Sequence, residues 1–284
     1  MALDIDKTIS DLDEKSDSDE EKKRIQELYK NYKGSDEVIP ADEYQKLIVR
    51  EEVLYRVSSG LTDLDKIIEG FRPGNVIIVS GPTKQGKTTF CQTLTENFTK
   101  QDFKCLWFFF DTPAIEVIER FQEIPIFYLP KRNEPEKKLE WIEQKIIEGL
   151  VKYDTRMVFV DHLGFLTRFS SERDNYSTEL TSIVRELKEI AIRWNVTIFL
   201  NHHIKKIDSE STPRWSDLKD SSGPAQDSDI TIMVWRERVK GEFGSEYTDF
   251  GFVSVQLHRR TGRTGTIRVE CRDGLFYGMD INKT

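Results

Sequence analysis

The chain has 284 residues, room for one large α/β domain with an appendage, and a hydrophobic fraction of 37% that suits such a core with charged helix faces. Its net charge is −8, but residues 1–37 alone carry 12 acidic and 7 basic side chains, so the acidic total does not exclude nucleic acid as a partner of the rest. No apolar run approaches the ~20 residues of a membrane span, the first residues are too acidic for a signal peptide, and the three cysteines form no CxxC; a reduced, cytoplasmic protein with no membrane partner is expected.

From Asp11 to Glu21 the chain is a Ser/Asp/Glu run that cannot bury enough apolar surface to fold, so residues 1–37 are expected to be an acidic, disordered tail, with room for a short helix around Glu21–Lys30. Residues 38–56 read as a linker helix. Over Ala41–Tyr55 the side chains of Tyr44, Leu47, Ile48, Leu54 and Tyr55 share one helical stripe, to be packed on the chain's own domain or on another subunit.

Residues 57–284 read as one α/β domain. A helix is expected over Thr62–Glu69, capped by Thr62 and closed by Gly70. An apolar strand at 75–80, a helix at 87–99 and a strand over Lys104–Phe110 follow. A short helix starts after Pro113, and a longer one over Glu136–Leu150 leads to the strand Met157–Val160. The amphipathic stretch Ser177–Trp194 precedes the strand Val196–Leu200. Further strands are expected at Ile230–Trp235, Gly251–His258 and Thr266–Glu270. Strands alternating with helices predict a mostly parallel sheet flanked by helices, and the strand-rich C-terminal part predicts an antiparallel edge.

Between the first strand and its helix lies Gly81-Pro82-Thr83-Lys84-Gln85-Gly86-Lys87-Thr88, which fits GxxxxGK[ST], with Thr89 beyond it. Strand, glycine-rich turn and helix aim backbone N–H groups at phosphate oxygens, so a nucleoside triphosphate with Mg2+ is the expected ligand. Lys87 is placed to reach the β- and γ-phosphates and Thr88 to offer its hydroxyl to the metal. Met157–Val160 ends in Asp161, the form of a strand whose acid supports that metal. Asp111 ends another buried strand, where it could orient or deprotonate an attacking water, or simply cap the helix after Pro113. His202 and His203 close a third strand at the same carboxyl edge, within reach of a γ-phosphate.

Two polar loops could bind backbone phosphates of nucleic acid or could be plain surface. One carries Arg168 and Arg173; the other carries Lys205, Lys206, Arg214 and Lys219. In His258-Arg259-Arg260-Thr261-Gly262, an arginine at a strand end could reach a triphosphate on an adjacent subunit, or mark a basic hairpin tip.

Taken together, these blocks resemble the ATPase domain of DnaB-type hexameric replicative helicases, within the RecA-like ATPases. The resemblance covers about residues 57–278. It rests on Ser59-Gly60-Leu61-Thr62-Asp63-Leu64-Asp65 with Gly70-Phe71-Arg72-Pro73-Gly74, on Phe110-Asp111-Thr112-Pro113-Ala114, and on Asp161-His162-Leu163-Gly164-Phe165. It rests further on Ser216–Ser221 with Gln226–Asp229, and on Arg260-Thr261-Gly262 with Gly265-Thr266. The resemblance implies a ring of identical subunits, a hexamer, hydrolysing ATP at subunit interfaces and moving on single-stranded DNA. It implies that Asp111 takes the place of a catalytic Glu, His203 senses the γ-phosphate, Arg260 is an arginine finger in trans, and Lys219 and Asp220 contact DNA.

The chain departs from that pattern at Asp111, one methylene shorter than Glu, and at His203, which is more like the phage and mitochondrial primase-helicase branch. Arg259 competes with Arg260 for the finger register, and His258 stands where the pattern has Lys. The segment before residue 57 is too short for an N-terminal helical collar or a primase, so a separate primase, loader or collar protein is an expected partner. A RecA-like ATPase with a recombination or regulatory role, or an ATP-binding paralogue that does not turn over, remains open beside the helicase.

Overall fold

The computed structural model describes the backbone at residues 23–25, 27, 30, 38–51, 55–131, 138–167, 173–204, 212–218, 223–241 and 244–279. The chain divides into two units, Met1–Glu52 and Val53–Thr284. In the first unit, residues 23–25, 27 and 30 are helical and helix α1 spans Ala41–Glu51. The expected helix runs on to Tyr55; residues 52–54 lie outside the described residues, and Tyr55 itself is not helical. Tyr55 belongs to the second unit, where its ring lies 5.3 Å from Phe103 and its hydroxyl 2.9 Å from Thr197 Oγ1. A tyrosine with both a ring partner and a hydroxyl partner gains more there than from a further helical turn.

The second unit is built on a nine-stranded sheet. Its strands are β1 (Val76–Gly81), β2 (Lys104–Phe109), β3 (Phe127–Tyr128), β4 (Thr155–Asp161), β5 (Thr197–His203), β6 (Ile230–Gly241), β7 (Gly244–His258), β8 (Gly265–Arg272) and β9 (Leu275–Gly278), in the spatial order β3-β2-β4-β5-β1-β6-β7-β8-β9. Every pairing from β3 to β6 is parallel, and those among β6, β7, β8 and β9 are antiparallel. The parallel part exists because its strands are apolar on both sides. All six residues of β1 are buried, and in β2 and β4 successive side chains enter two different cores.

On one face Trp107, Phe159 and Phe199 stand in register on neighbouring strands, with ring centroids 4.5 and 4.7 Å apart. Phe90, Leu94 and Phe98 of helix α3 (Lys87–Lys100) pack over this ladder after helix α2 (Thr62–Ile68). On the other face α5 (Lys138–Tyr153) and α6 (Arg173–Arg193) cover Val158, Val160, Ile198 and Leu200. Two short helices, α4 (Ala114–Ile118) and α7 (Gly223–Asp227), complete the set. Among the described residues no helix is long and apolar enough to cross a membrane.

Helix α2 starts differently from expectation. The N-cap position is Leu61, which is extended, buried and makes no side-chain cap, so Thr62 is not the cap. Asp65 turns back instead: its Oδ1 accepts from the Ser59 amide at 2.7 Å and its Oδ2 from the Ser58 hydroxyl at 2.6 Å. A carboxylate in the first turn serves the same upstream donors as a cap and adds a charge favourable at a helix N-terminus.

Candidate active site

The loop between β1 and α3 is shaped by its glycines. A Cβ on Gly81 would lie 2.0 Å from the carbonyl oxygen of Val234 on β6, so only glycine lets the two strands approach. Gly86 has φ +100°, and a Cβ there would lie 2.8 Å from Phe276. Gly86 is also the N-cap of α3 and supplies no side-chain acceptor. The amides of the first helical turn have no intrahelical acceptor either, which leaves a cluster of N–H groups and a positive helix end facing the loop. The Lys87 ammonium is buried and folds onto the loop, donating to the carbonyl oxygens of Gly81 and Pro82, both at 3.0 Å. Burial pulls its pKa from 10.5 down to about 8, against the opposing pull of Asp161. A buried cation and a ring of free amides form a cradle that suits an anionic phosphate chain, so the residues present fit a nucleoside triphosphate.

The loop is tied to the antiparallel part by Gln85, which the sequence places among the phosphate-binding residues. Its Nε2 donates to the hydroxyl of Tyr247 on β7, and its Oε1 accepts from the Arg236 amide on β6 at 3.0 Å.

Beside the loop, the Thr88 hydroxyl donates to Asp161 Oδ2 at 3.2 Å. Burial raises the pKa of Asp161, and hydrogen bonds from Asn201 and Thr88 hold it partly down. A hydroxyl and a carboxylate at this separation can share one divalent cation, as Mg2+ requires of its few protein ligands. Asp111 follows β2, with its amide 3.4 Å from the carbonyl oxygen of Asp161. The N-cap of α4 is Pro113, which rules out Asp111 as that cap; its side chain is 44% exposed at the carboxyl edge of the sheet. His202 is buried, whereas His203 is half-buried at the same edge.

His162 is the residue that sequence reading passed over. It follows Asp161, its ring centroid is 4.4 Å from that of His203, and its Nε2 is 3.9 Å from Asp111 Oδ2. The only signal was its place directly after the acid of an apolar strand. That Asp111, His162 and His203 converge follows from the strand order β2-β4-β5, which the sequence does not display.

The structure thus brings Lys87, Thr88, Asp111, Asp161 and His203 to one edge of the sheet. Arg260 lies elsewhere. Strand β6 runs parallel to β1, and β7 returns antiparallel with His258 opposite Ile230, so the turn carrying Arg259 and Arg260 is at the edge where β1 begins. There Arg260 pairs with Glu69 at 2.8 Å, Arg263 takes the other oxygen of Glu69 at 2.7 Å, and Arg259 donates to the carbonyl oxygen of Gln226 at 2.9 Å. Of the residues expected to meet DNA, Arg168, Lys206, Lys219 and Asp220 lie outside the described residues, as does Lys205, and Arg173 opens α6 with its side chain outside them.

A parallel sheet with a phosphate-binding loop after β1, an acid after β2 and another closing β4 has the form of a P-loop nucleotide-binding domain. The family model of the DnaB-like helicase C-terminal domain matches residues 56–123 and 114–276, and the chain belongs to that family. Among curated relatives it is 26% identical over 266 residues to the replicative DNA helicase DnaB of Haemophilus influenzae, covering 79% of this chain and 55% of that protein. It is 24% identical to a probable replicative DNA helicase of Trieres chinensis, covering 77% and 56%. The chain spans about half the length of the curated relatives it matches. Among solved structures, the ATPase domain of G40P superposes with a TM-score of 0.70 at 19% identity, over 86% of this chain and all of that one. A DnaB-like replicative helicase superposes at 0.68, again at 19% identity, over 98% of this chain and 76% of that one.

Proposed function

We propose that the chain is an ATP-driven motor that moves along single-stranded DNA as a ring of identical subunits, acting as a replicative-type DNA helicase in the cytoplasm. The observation that carries this is the separation of the candidate catalytic groups. Lys87, Thr88, Asp161, Asp111 and His203 are at the carboxyl edge of the parallel strands, and Arg260 is at the opposite edge. An arginine so placed cannot serve its own phosphate loop, but it can serve that of the next subunit in a head-to-tail ring.

In this reading residues 81–89 hold the triphosphate through their backbone amides (Pro82, which has no N–H, excepted) and the Lys87 ammonium, and Thr88 and Asp161 hold Mg2+. The metal, when bound, supplies positive charge against the charge that develops on the phosphates. Asp111 accepts the proton of the attacking water, and His203 contacts the γ-phosphate and passes its loss to the following segment. Arg260 of one subunit stabilises the transition state in the next. Arg168, Arg173, Lys206, Lys219 and Asp220 form the DNA contacts. A primase, loader or collar protein is the expected further partner; the DnaB-like replicative helicase named above was studied with its interactions with primase.

The test is ATP hydrolysis by the sized oligomer with and without single-stranded DNA, followed by unwinding of a forked duplex. DNA should stimulate hydrolysis and unwinding should require ATP. Hydrolysis indifferent to DNA, with no unwinding, would replace the helicase with a RecA-like ATPase of another role.

A further inference from the structure

His162 carries an orientation that the reaction just described does not use. Its Nδ1 accepts a hydrogen bond from the Gly164 amide at 3.0 Å. A neutral imidazole whose Nδ1 accepts carries its proton on Nε2. That Nε2 faces Asp111 Oδ2 across 3.9 Å, too far for a direct hydrogen bond and the right span for one bridging water. The ring is held edge-on against His203 at 4.4 Å and Phe165 at 4.9 Å. Gly164 is part of the device. A Cβ there would fall 2.8 Å from His162 Cε1 and 3.1 Å from the Tyr176 hydroxyl, so no larger residue leaves the ring where it is.

We infer that His162 holds the attacking water together with Asp111, and so supplies the reach that the short Asp111 side chain lacks. This inference rests on the ATPase reading above. The water accepts from His162 Nε2–H and donates to the Asp111 carboxylate, which leaves one lone pair free for attack. Its oxygen bonds to the γ-phosphorus, and the bond from that phosphorus to the β–γ bridging oxygen breaks, with ADP leaving. The water proton passes to Asp111 and His162 keeps its own proton throughout. Gly164 is a positioning residue for the ring.

Asp111, His162 and His203 also place one potential ligand atom each within 4.8 Å of one another, as a metal centre would need. Ligation through Nε2 would put a proton on Nδ1, facing the Gly164 N–H donor to donor, so the hydrogen bond at Nδ1 favours the water-holding role.

The experiment is a double-mutant cycle on the full chain as its oligomer. His162→Ala should lower kcat about 100-fold, within the usual contribution of a positioned proton-transfer site, and leave affinity for a fluorescent ATP analogue within about twofold. Gly164→Ala should lower kcat at least tenfold without touching the ring's chemistry. In an Asp111→Glu background, where the longer side chain supplies the reach itself, His162→Ala should cost less than about threefold.

An independent readout is the nitrogen NMR spectrum of protein labelled at its four histidines. The signals lost in His162→Ala should show an Nε2–H ring with an accepting Nδ1. Unchanged kcat in His162→Ala, equal losses in both backgrounds, an Nδ1–H ring, or stoichiometric Zn2+ binding that needs Asp111 would each overturn the inference. If the wild type hydrolyses no faster than Lys87→Ala, the ATPase reading fails and the inference falls with it; if the wild type is active and His162→Ala matches it, only the inference fails.

Discussion

The sheet has two halves built on different rules. From β3 to β1 the strands are parallel, apolar on both sides and covered on both faces, and β1 is buried at every position. From β7 to β9 they are antiparallel and β8 alternates buried with exposed residues. Strand β6 belongs to both, pairing parallel with β1 and antiparallel with β7. The parallel half delivers Lys87, Thr88, Asp111, Asp161 and His203 to one edge. The antiparallel half reverses direction and so delivers Arg260 to the other. In the proposed ring, one half builds a subunit's own phosphate site, and the other would equip the subunit to complete its neighbour's.

Removing the ammonium from the parallel half should have the largest effect. Lys87→Ala is expected to lower hydrolysis at least 1000-fold, with nucleotide affinity lost as well, measured by phosphate release and by binding of a fluorescent ATP analogue. Removing the arginine from the antiparallel half should separate the two functions. Arg260→Ala is expected to lower kcat about 100- to 1000-fold while binding by the same subunit stays within about threefold. A parallel loss of binding would mean that Arg260 acts within its own subunit.

The aromatic ladder that fixes the parallel half is tested by stability. Phe159→Ala removes a fully buried ring between Trp107 and Phe199 and should cost about 3–5 kcal/mol in urea unfolding.

The smallest effect is a pH dependence. In the folded protein Lys87 loses its proton near pH 8, below its ordinary 10.5, so the unfolded chain binds more protons between those values. Stability should therefore rise slightly through that window, as the cost of burying the cation is relieved. Nucleotide affinity should move the other way and fall by up to about tenfold per pH unit above 8, because triphosphate binding favours the charged lysine. Affinity that is flat to pH 9.5 would show that the ammonium is not the phosphate contact.

The two halves also differ in how far the sequence displays them. The parallel strands are continuous apolar runs, and the phosphate loop stands between a strand and a helix, so both could be read directly. The β6–β7 hairpin was expected to stop at Trp235 and to resume at Gly251. It continues to Gly241 and from Gly244, because its outer residues, mixed polar and apolar without a continuous apolar run, hold the strand form through backbone pairing with each other. The two-residue β3 and the short β9 are likewise made by their neighbours and carry no periodic pattern of their own. At the site, the acids were legible because each ends an apolar strand. His162 was not, because its role depends on a glycine two residues later and on an acid brought alongside by strand order.

The most direct test of this account is to mix Lys87→Ala with Arg260→Ala subunits, each inactive alone, and to measure ATP hydrolysis in the presence of single-stranded DNA. If each site is shared across a head-to-tail interface, equal mixing should restore about a quarter of the sites, since each needs an intact lysine on one subunit and an intact arginine on the next. Activity that stays at the level of the separate variants, in rings shown to have exchanged subunits, would contradict the claim that Arg260 completes a neighbour's site.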